Sequence, residues 1–331
     1  MEIHALDDKA LIKVRPKVPK GTHPIETGRY LLATDEIIRL HETVMEWIDR
    51  RTPGGIIYGR PRLGKTRAIK FLMHVIPAEL EANIPMFLTN CRQYKQPNEN
   101  HFFEDVLNDL GHTCAPIGKA IRKRDRLTKF LLEKGEFSGQ HRIILFLDDA
   151  QRLFEIQYGW LMDLYNELDR AGISLTVILV GQQELLHQRS AFKQAKKMQI
   201  IGRFMIHDYN FTGVKGLKDL QACLRGYDVE SEYPERSGWS FSQYYFPEGF
   251  ERGFRLEHCA EDVMSAFTEA RMESGLLKQA DIPMQYIALT IEYALRRFGV
   301  DGANVVKITQ SQWKEAVNRS GYIEAEILQE Y

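Results

Sequence analysis

The sequence predicts an α/β protein in which a parallel five-stranded sheet is flanked by helices and followed by an all-helical region. Three observations carry this expectation. Short apolar runs alternate with helical-period segments between Gly54 and Phe211. Between the first of these runs and its helix stands Gly59-Arg60-Pro61-Arg62-Leu63-Gly64-Lys65-Thr66. From Gly213 onward the strand signal stops and only helical spacing remains.

Residues 1–33 read as an N-terminal arm. Pro16, Pro19 and Pro24 argue against a helix, and Lys13, Arg15, Lys17 and Lys20 make the segment basic. A solvated arm is the simpler expectation, with a partner- or phosphate-binding arm as the other. Thr34 then caps a helix carrying Ile37, Leu40, Val44 and Ile48, with Asp35 and Glu36 in its first turn. Thr52-Pro53-Gly54 turns into the first strand, Gly54–Tyr58.

The eight residues from Gly59 fit G-x-x-x-x-G-K-[ST], the Walker A phosphate loop. A chance match in a chain of 331 residues has odds of roughly one in a hundred. Glycines at 59 and 64 permit the backbone angles and close approach that a phosphate needs. The loop from Gly59 to Arg67, through Arg60, Pro61, Arg62 and Leu63, then surrounds the anion with the backbone N–H groups of its non-proline residues, at the positive end of a helix. Lys65 reaches the β- and γ-phosphates, and the Thr66 hydroxyl suits Mg²⁺. The expected ligands are therefore ATP and Mg²⁺.

Ile69, Leu72, Met73 and Ile76 continue the helix, which Pro77 is expected to end. Pro85–Thr89 is a second strand, and Phe102 to Leu110 a helix stopping at Gly111. Residues 115–136 form an amphipathic basic helix. Lys119, Arg122, Lys123 and Arg126 fall near one face, so either a solvated face or contact with duplex DNA phosphates explains them. Arg142–Leu147 has the continuously apolar look of a central parallel strand and ends in Asp148-Asp149. A carboxylate at that point is the Walker B arrangement, and it assigns Mg²⁺ to Asp148. A helix over 154–168 leads to a fourth strand, Ser174–Val180, ending in Gly181-Gln182-Gln183. A further helix begins at Glu184, and Arg203 precedes a fifth strand.

The expected division is an arm (1–33), a nucleotide-binding core (34–212) and a helical lid (213–331) with an aromatic-rich insertion at 227–254. The insertion is expected to pack onto its own domain rather than stack on bases. The net charge of −1 excludes a global field that drives the chain onto nucleic acid, so any such contact is local. Cys91, Cys114, Cys223 and Cys259 show no metal spacing and suit a reduced, cytoplasmic setting. Neither a signal-peptide core nor a membrane-length apolar run occurs.

The element order, with the Walker B strand separated from the Walker A strand by another, looks like an AAA+ ATPase. Gly54 to Arg67 and Leu145-Phe146-Leu147-Asp148-Asp149-Ala150-Gln151 resemble the TnsC/TniB family of transposition regulators. The resemblance spans 34–211, and the length suits the compact TnsC proteins of CRISPR-associated transposons. It implies a homo-oligomeric ring or filament on duplex DNA, linking a TniQ-like target selector to transposase subunits and reset by ATP hydrolysis. It also implies roles for single residues. Asp149 stands where the family has a catalytic Glu, and its shorter side chain predicts slow hydrolysis. Gln182 or Gln183 takes the position of sensor one. Arg203, with Arg189 in reserve, is the candidate arginine finger offered to a neighbouring subunit. A replication-initiator or helicase-loader ATPase would share the core and the basic helix, although the tail after Asp301 looks short for its winged-helix domain. An NTP-dependent switch binding only proteins is a further alternative.

Overall fold

The computed structural model describes residues 14–80, 83–276 and 281–330. The chain divides into two units, a core of residues 33–215 with 280–285 and a helical unit of 1–32, 216–279 and 286–331.

In the core, strands β1 (Gly54–Tyr58), β2 (Met86–Asn90), β3 (Arg142–Asp148), β4 (Ser174–Gly181) and β5 (His207–Asn210) form one parallel sheet in the order β2-β3-β4-β1-β5. The helices are α1 (Asp35–Asp49), α2 (Lys65–Glu79), α3 (Glu99–Asp109), α4 (Ala120–Phe137), α5 (Glu155–Arg170), α6 (Glu184–Gln194) and α7 (Met198–Phe204). Alternation along the central strands divides the core into two layers. Ile143, Leu145 and Leu147 of β3, with Leu175, Val177 and Leu179 of β4, pack with α3 to α7. Ile144, Phe146, Ile178 and Val180 face the other way, against α1 and α2. Because both faces are covered, β3 is buried at every position, as its apolar run implies.

Thr34 caps α1 as its sequence predicts, its hydroxyl accepting from the Ile37 N–H. Glu36, in the first turn of α1, is buried and accepts from the Tyr209 hydroxyl and from both N–H and hydroxyl of Thr212. Those bonds fasten α1 to the end of β5. Pro77 does not end its helix: α2 runs on to Glu79. So close to the C-terminus the missing N–H removes one ladder bond, and the Leu80 N–H still closes the last turn on the Ile76 carbonyl.

The helical unit contains α8 (Leu217–Arg225), α9 (Ala260–Glu273), α11 (Gln310–Arg319), α12 (Tyr322–Glu330) and most of α10 (Met284–Phe298). The described part of the predicted arm departs from the expectation of a solvated segment. Residues 14–32 are integral to this unit and include a short helix, Pro24–Thr27, with proline in its first turn, where no N–H is missed. Ile25 and His23 are buried, and His23 stacks on Tyr244 at 4.5 Å among Tyr233, Phe241 and Tyr245. Arg15 lies over the Tyr244 ring and pairs with Asp301. Tyr30 donates to Glu292 and shares a hydrogen bond with Tyr227. Lys13 lies outside the described residues.

The aromatic insertion packs within the unit: Tyr227, Trp239, Phe241, Tyr244, Tyr245 and Phe246 are buried. Asp228 organises it, its carboxylate accepting from Ser242 and from the N–H groups of Leu256 and Glu257. Among the described residues no helix is long and apolar enough to cross a membrane.

Burial, seconded by the Arg15 charge, pushes the His23 imidazole down from 6.5 to about 4. The unfolded chain therefore holds a proton between those values that the folded chain does not, and stability present above pH 6.5 is lost as pH falls toward 4. Urea denaturation across that range should show this loss, and a His23→Phe variant, which cannot titrate, should show a flatter dependence.

Candidate nucleotide site

The sheet register brings the site together. Tyr58 at the end of β1 pairs with Gly181 of β4, and Leu147 of β3 pairs with Leu179 of the same strand. The loops after β1, β3 and β4 consequently leave the same edge of the sheet, the usual place for a ligand in open α/β proteins.

After Tyr58 the chain turns through Gly59 to Gly64 and enters α2 at Lys65. Gly64 has φ +99°, a left-handed conformation that suits glycine, and Arg62 shares that region at φ +65°. Gly59 is needed for space instead, since a Cβ there would stand 2.2 Å from the Phe211 carbonyl oxygen. The Lys65 ammonium donates to the carbonyls of Gly59 (2.8 Å) and Arg60 (2.7 Å), folding back across its own loop. Burial lowers its pKa from 10.5 to about 8, against the opposing pull of Asp148, Asp149 and Glu184.

The Thr66 hydroxyl donates to Asp148 at 2.5 Å, and the other Asp148 oxygen accepts from the Asp149 N–H. A hydroxyl and a carboxylate oxygen side by side fit Mg²⁺, which takes one or two protein oxygens and completes its octahedron with water and phosphate. Among the described residues no cluster of three or more His, Cys, Asp or Glu side chains offers a protein-only cage.

Asp149 takes a left-handed turn at φ +54° and is half exposed. Its Oδ1 accepts from Gln151, and its Oδ2 pairs with Arg152 at 3.0 Å. Gln182 follows β4 directly, whereas Gln183 is exposed at the start of α6. The structure therefore puts Gln182 at the tip that faces the Walker B turn, its N–H bonded to Gln151.

Arg203 lies on α7, where it donates to Asn166 at 3.0 Å and approaches the ring of Tyr165 on α5. Arg189 is committed to Asp208 and the Met205 carbonyl.

The basic helix α4 needs a correction. Lys119 and Arg122 are exposed, but Lys123 is only 1% exposed and its ammonium pairs with Glu104 of α3. Helical periodicity is the reason: Lys123 precedes Leu127 and Leu131 at intervals of four and shares their buried face. Arg126 is half-buried and donates to the carbonyls of Cys114 and Ile117. Of the four grouped cations, only Lys119 and Arg122 stand clear of the fold.

Two contributors had no local signal in the sequence. Asp281, assigned to the lid by position, belongs to the core. It pairs with Arg60 at 2.8 Å and accepts from the Gly213 N–H, 68 residues away. Ile282 bridges Val214 in antiparallel fashion, and the Gln285 N–H donates to the Arg62 carbonyl. Residues 281–285 thus line the phosphate loop. Gln151 lies two residues after Asp149, where residue type alone points to no role.

Residues 48–188 match the family model described as "AAA domain". No curated protein matches the sequence. Among solved structures, the chain is similar to the ADP form of the ORC2 protein of Aeropyrum pernix (TM-score 0.54, 14% identity), over 89% of this chain and 71% of that one. It is also similar to a structure of Drosophila ORC bound to DNA (TM-score 0.51, 13% identity), over 87% and 66% respectively. At such identities the likeness concerns the fold, which is that of an AAA+ P-loop protein.

Phosphates beside Lys65 favour its charged form and raise its pKa above 8, so nucleotide binding takes up a proton in alkaline solution. Affinity for a fluorescent ATP analogue should be strongest below pH 8 and weaken as pH rises beyond it. Lys65→Met should bind weakly and lose that dependence.

Proposed function

We propose that the chain is a Mg²⁺-dependent ATPase that acts as a nucleotide-controlled switch on duplex DNA, in the manner of a replication-initiator or helicase-loader protein. The observation that carries the ATPase reading is Lys65 at the mouth of the loop with Thr66 and Asp148 in direct contact beside it. The likeness to origin-recognition structures, one of them bound to DNA, supports the initiator reading at the level of fold.

In this reading Gly59 to Arg67 hold the triphosphate through the backbone, and Lys65 leaves its two carbonyls to meet the phosphates. Thr66 and Asp148 would hold Mg²⁺, which supplies charge neutralisation at the phosphate oxygens. Asp149 orients the attacking water and Gln182 faces the γ-phosphate. Arg203 is the proposed finger toward a neighbouring copy; it would exchange Asn166 for phosphate on assembly. Lys119 and Arg122 are the proposed DNA contacts.

A second reading, a regulator of transposition, is favoured by one observation, the run Leu145 to Gln151 with its Asp-Asp-Ala-Gln ending. In that case a transposase and a target-selecting protein are the partners.

Sedimentation with duplex DNA in ATP, a slowly hydrolysed analogue or ADP tests the shared core of both readings. DNA-dependent large particles with ATP or the analogue, and not with ADP, are expected; indifference to DNA in every nucleotide state overturns both. Particles that then recruit a replicative helicase fit the first reading, whereas recruitment of a transposase subunit fits the second. Lys119→Glu with Arg122→Glu should weaken DNA binding severalfold while nucleotide affinity stays within about twofold, since each phosphate contact contributes to a salt-dependent sum. Because Asp149 is a methylene shorter than glutamate and held on both oxygens, turnover should fall below about 1 s⁻¹, under the range of typical enzymes. A phosphate-release assay reads it directly.

A further inference from the structure

The Walker B turn and the tip of β4 are joined by one amide. Gln151 sits in the short helical turn Ala150–Arg152 that follows Asp149. Its Nε2 donates to Asp149 Oδ1 at 3.2 Å, and its Oε1 accepts from the Gln182 N–H at 3.3 Å. Only one orientation of the amide serves both, because a carboxylate can only accept and a backbone N–H can only donate.

The seat of this amide is built from several sides. A Cβ on Gly181 would stand 2.2 Å from Gln151 Oε1, so the bare backbone at the end of β4 is what admits the side chain. The φ of Gly181 is not positive, and space alone explains the glycine. The Gln151 carbonyl is held in turn by Gln188, whose Nε2 donates to it at 2.8 Å and to the Leu153 carbonyl at 3.2 Å. The Oε1 of Gln188 accepts from the hydroxyl of the buried Tyr158. The turn carrying Asp149 is thereby anchored to α5 and α6.

We propose that Gln151 is a positioning residue for hydrolysis, holding the Asp149 carboxylate in register with Gln182 so that the two act on the same water and phosphate as a unit. This rests on the ATPase reading above. Gln151 touches no substrate; it acts through Asp149. A carboxylate on a surface turn has several rotamers, and fixing one of them matters because a misplacement near 1 Å can cost roughly 100-fold in rate.

The test uses the full chain and three readouts: steady-state ATP hydrolysis, affinity for a fluorescent nucleotide, and melting temperature. Gln151→Ala should lower kcat by roughly 10- to 100-fold, with nucleotide affinity and melting close to those of the unaltered chain. Gln151→Glu places a second carboxylate against Asp149. It should lower kcat while nucleotide affinity and melting stay close to those of the unaltered chain, because one carboxylate cannot donate to another, and a merely structural role would not confine the loss to kcat. Unaltered kcat in Gln151→Ala overturns the inference, as does a loss confined to nucleotide affinity or melting. If Gln151→Ala fails to fold, unaltered kcat in Gln151→Glu overturns it. Absence of turnover in the unaltered chain overturns the ATPase reading and this inference together, whereas turnover there that Gln151→Ala fully retains overturns the inference alone.

Discussion

The contact between Thr66 and Asp148 can form only if two strands that are not neighbours end at the same level. Thr66 follows β1 through the phosphate loop, Asp148 closes β3, and β4 lies between them. The register of β4 with each therefore sets the site. A slip of one residue would reverse the faces of a strand and expose its apolar set. The two apolar layers consequently do more than stabilise the sheet. By fixing register, the alternation of Ile143 to Leu147 fixes where a hydroxyl and a carboxylate meet.

Much of this was legible in the sequence, for identifiable reasons. The phosphate loop, the strands and the Walker B carboxylates are local patterns, readable from spacing and apolarity. Thr34 as a cap is local too. What escaped depends on contacts far apart along the chain. The face of α4 that carries Lys123 follows from helical geometry, yet burial of an ammonium there requires Glu104 to stand opposite it. The residues from Arg15 to Tyr30 looked like solvated sequence because their partners, Tyr244, Tyr227, Glu292 and Asp301, lie more than 190 positions later. Pro77 misled in the other direction: a rule that holds for helix interiors loses force one turn from the end.

In the described structure the lysine ammonium is satisfied by its own loop, and the threonine hydroxyl by aspartate. These bonds answer the desolvation of polar groups that burial would otherwise leave costly. On the ATPase reading proposed above, phosphate and Mg²⁺ would take the place of these bonds at the same groups. The depressed pKa of Lys65 has the same origin, being the electrostatic trace of a buried cation, and on the proposed reading its counter-charge would be the substrate.

The pairing of Arg60 with Asp281 has a consequence for how such a chain can be cut or recombined. A segment ending at Lys215 contains every strand of the sheet and both Walker motifs, and it looks self-sufficient on paper. It would nevertheless leave the Arg60 guanidinium without its carboxylate, the Gly213 N–H without its acceptor and Val214 without its bridge to Ile282. Gene fusions that exchange everything after residue 215 would in the same stroke replace a wall of the phosphate loop, so the two halves of the sequence cannot be swapped independently.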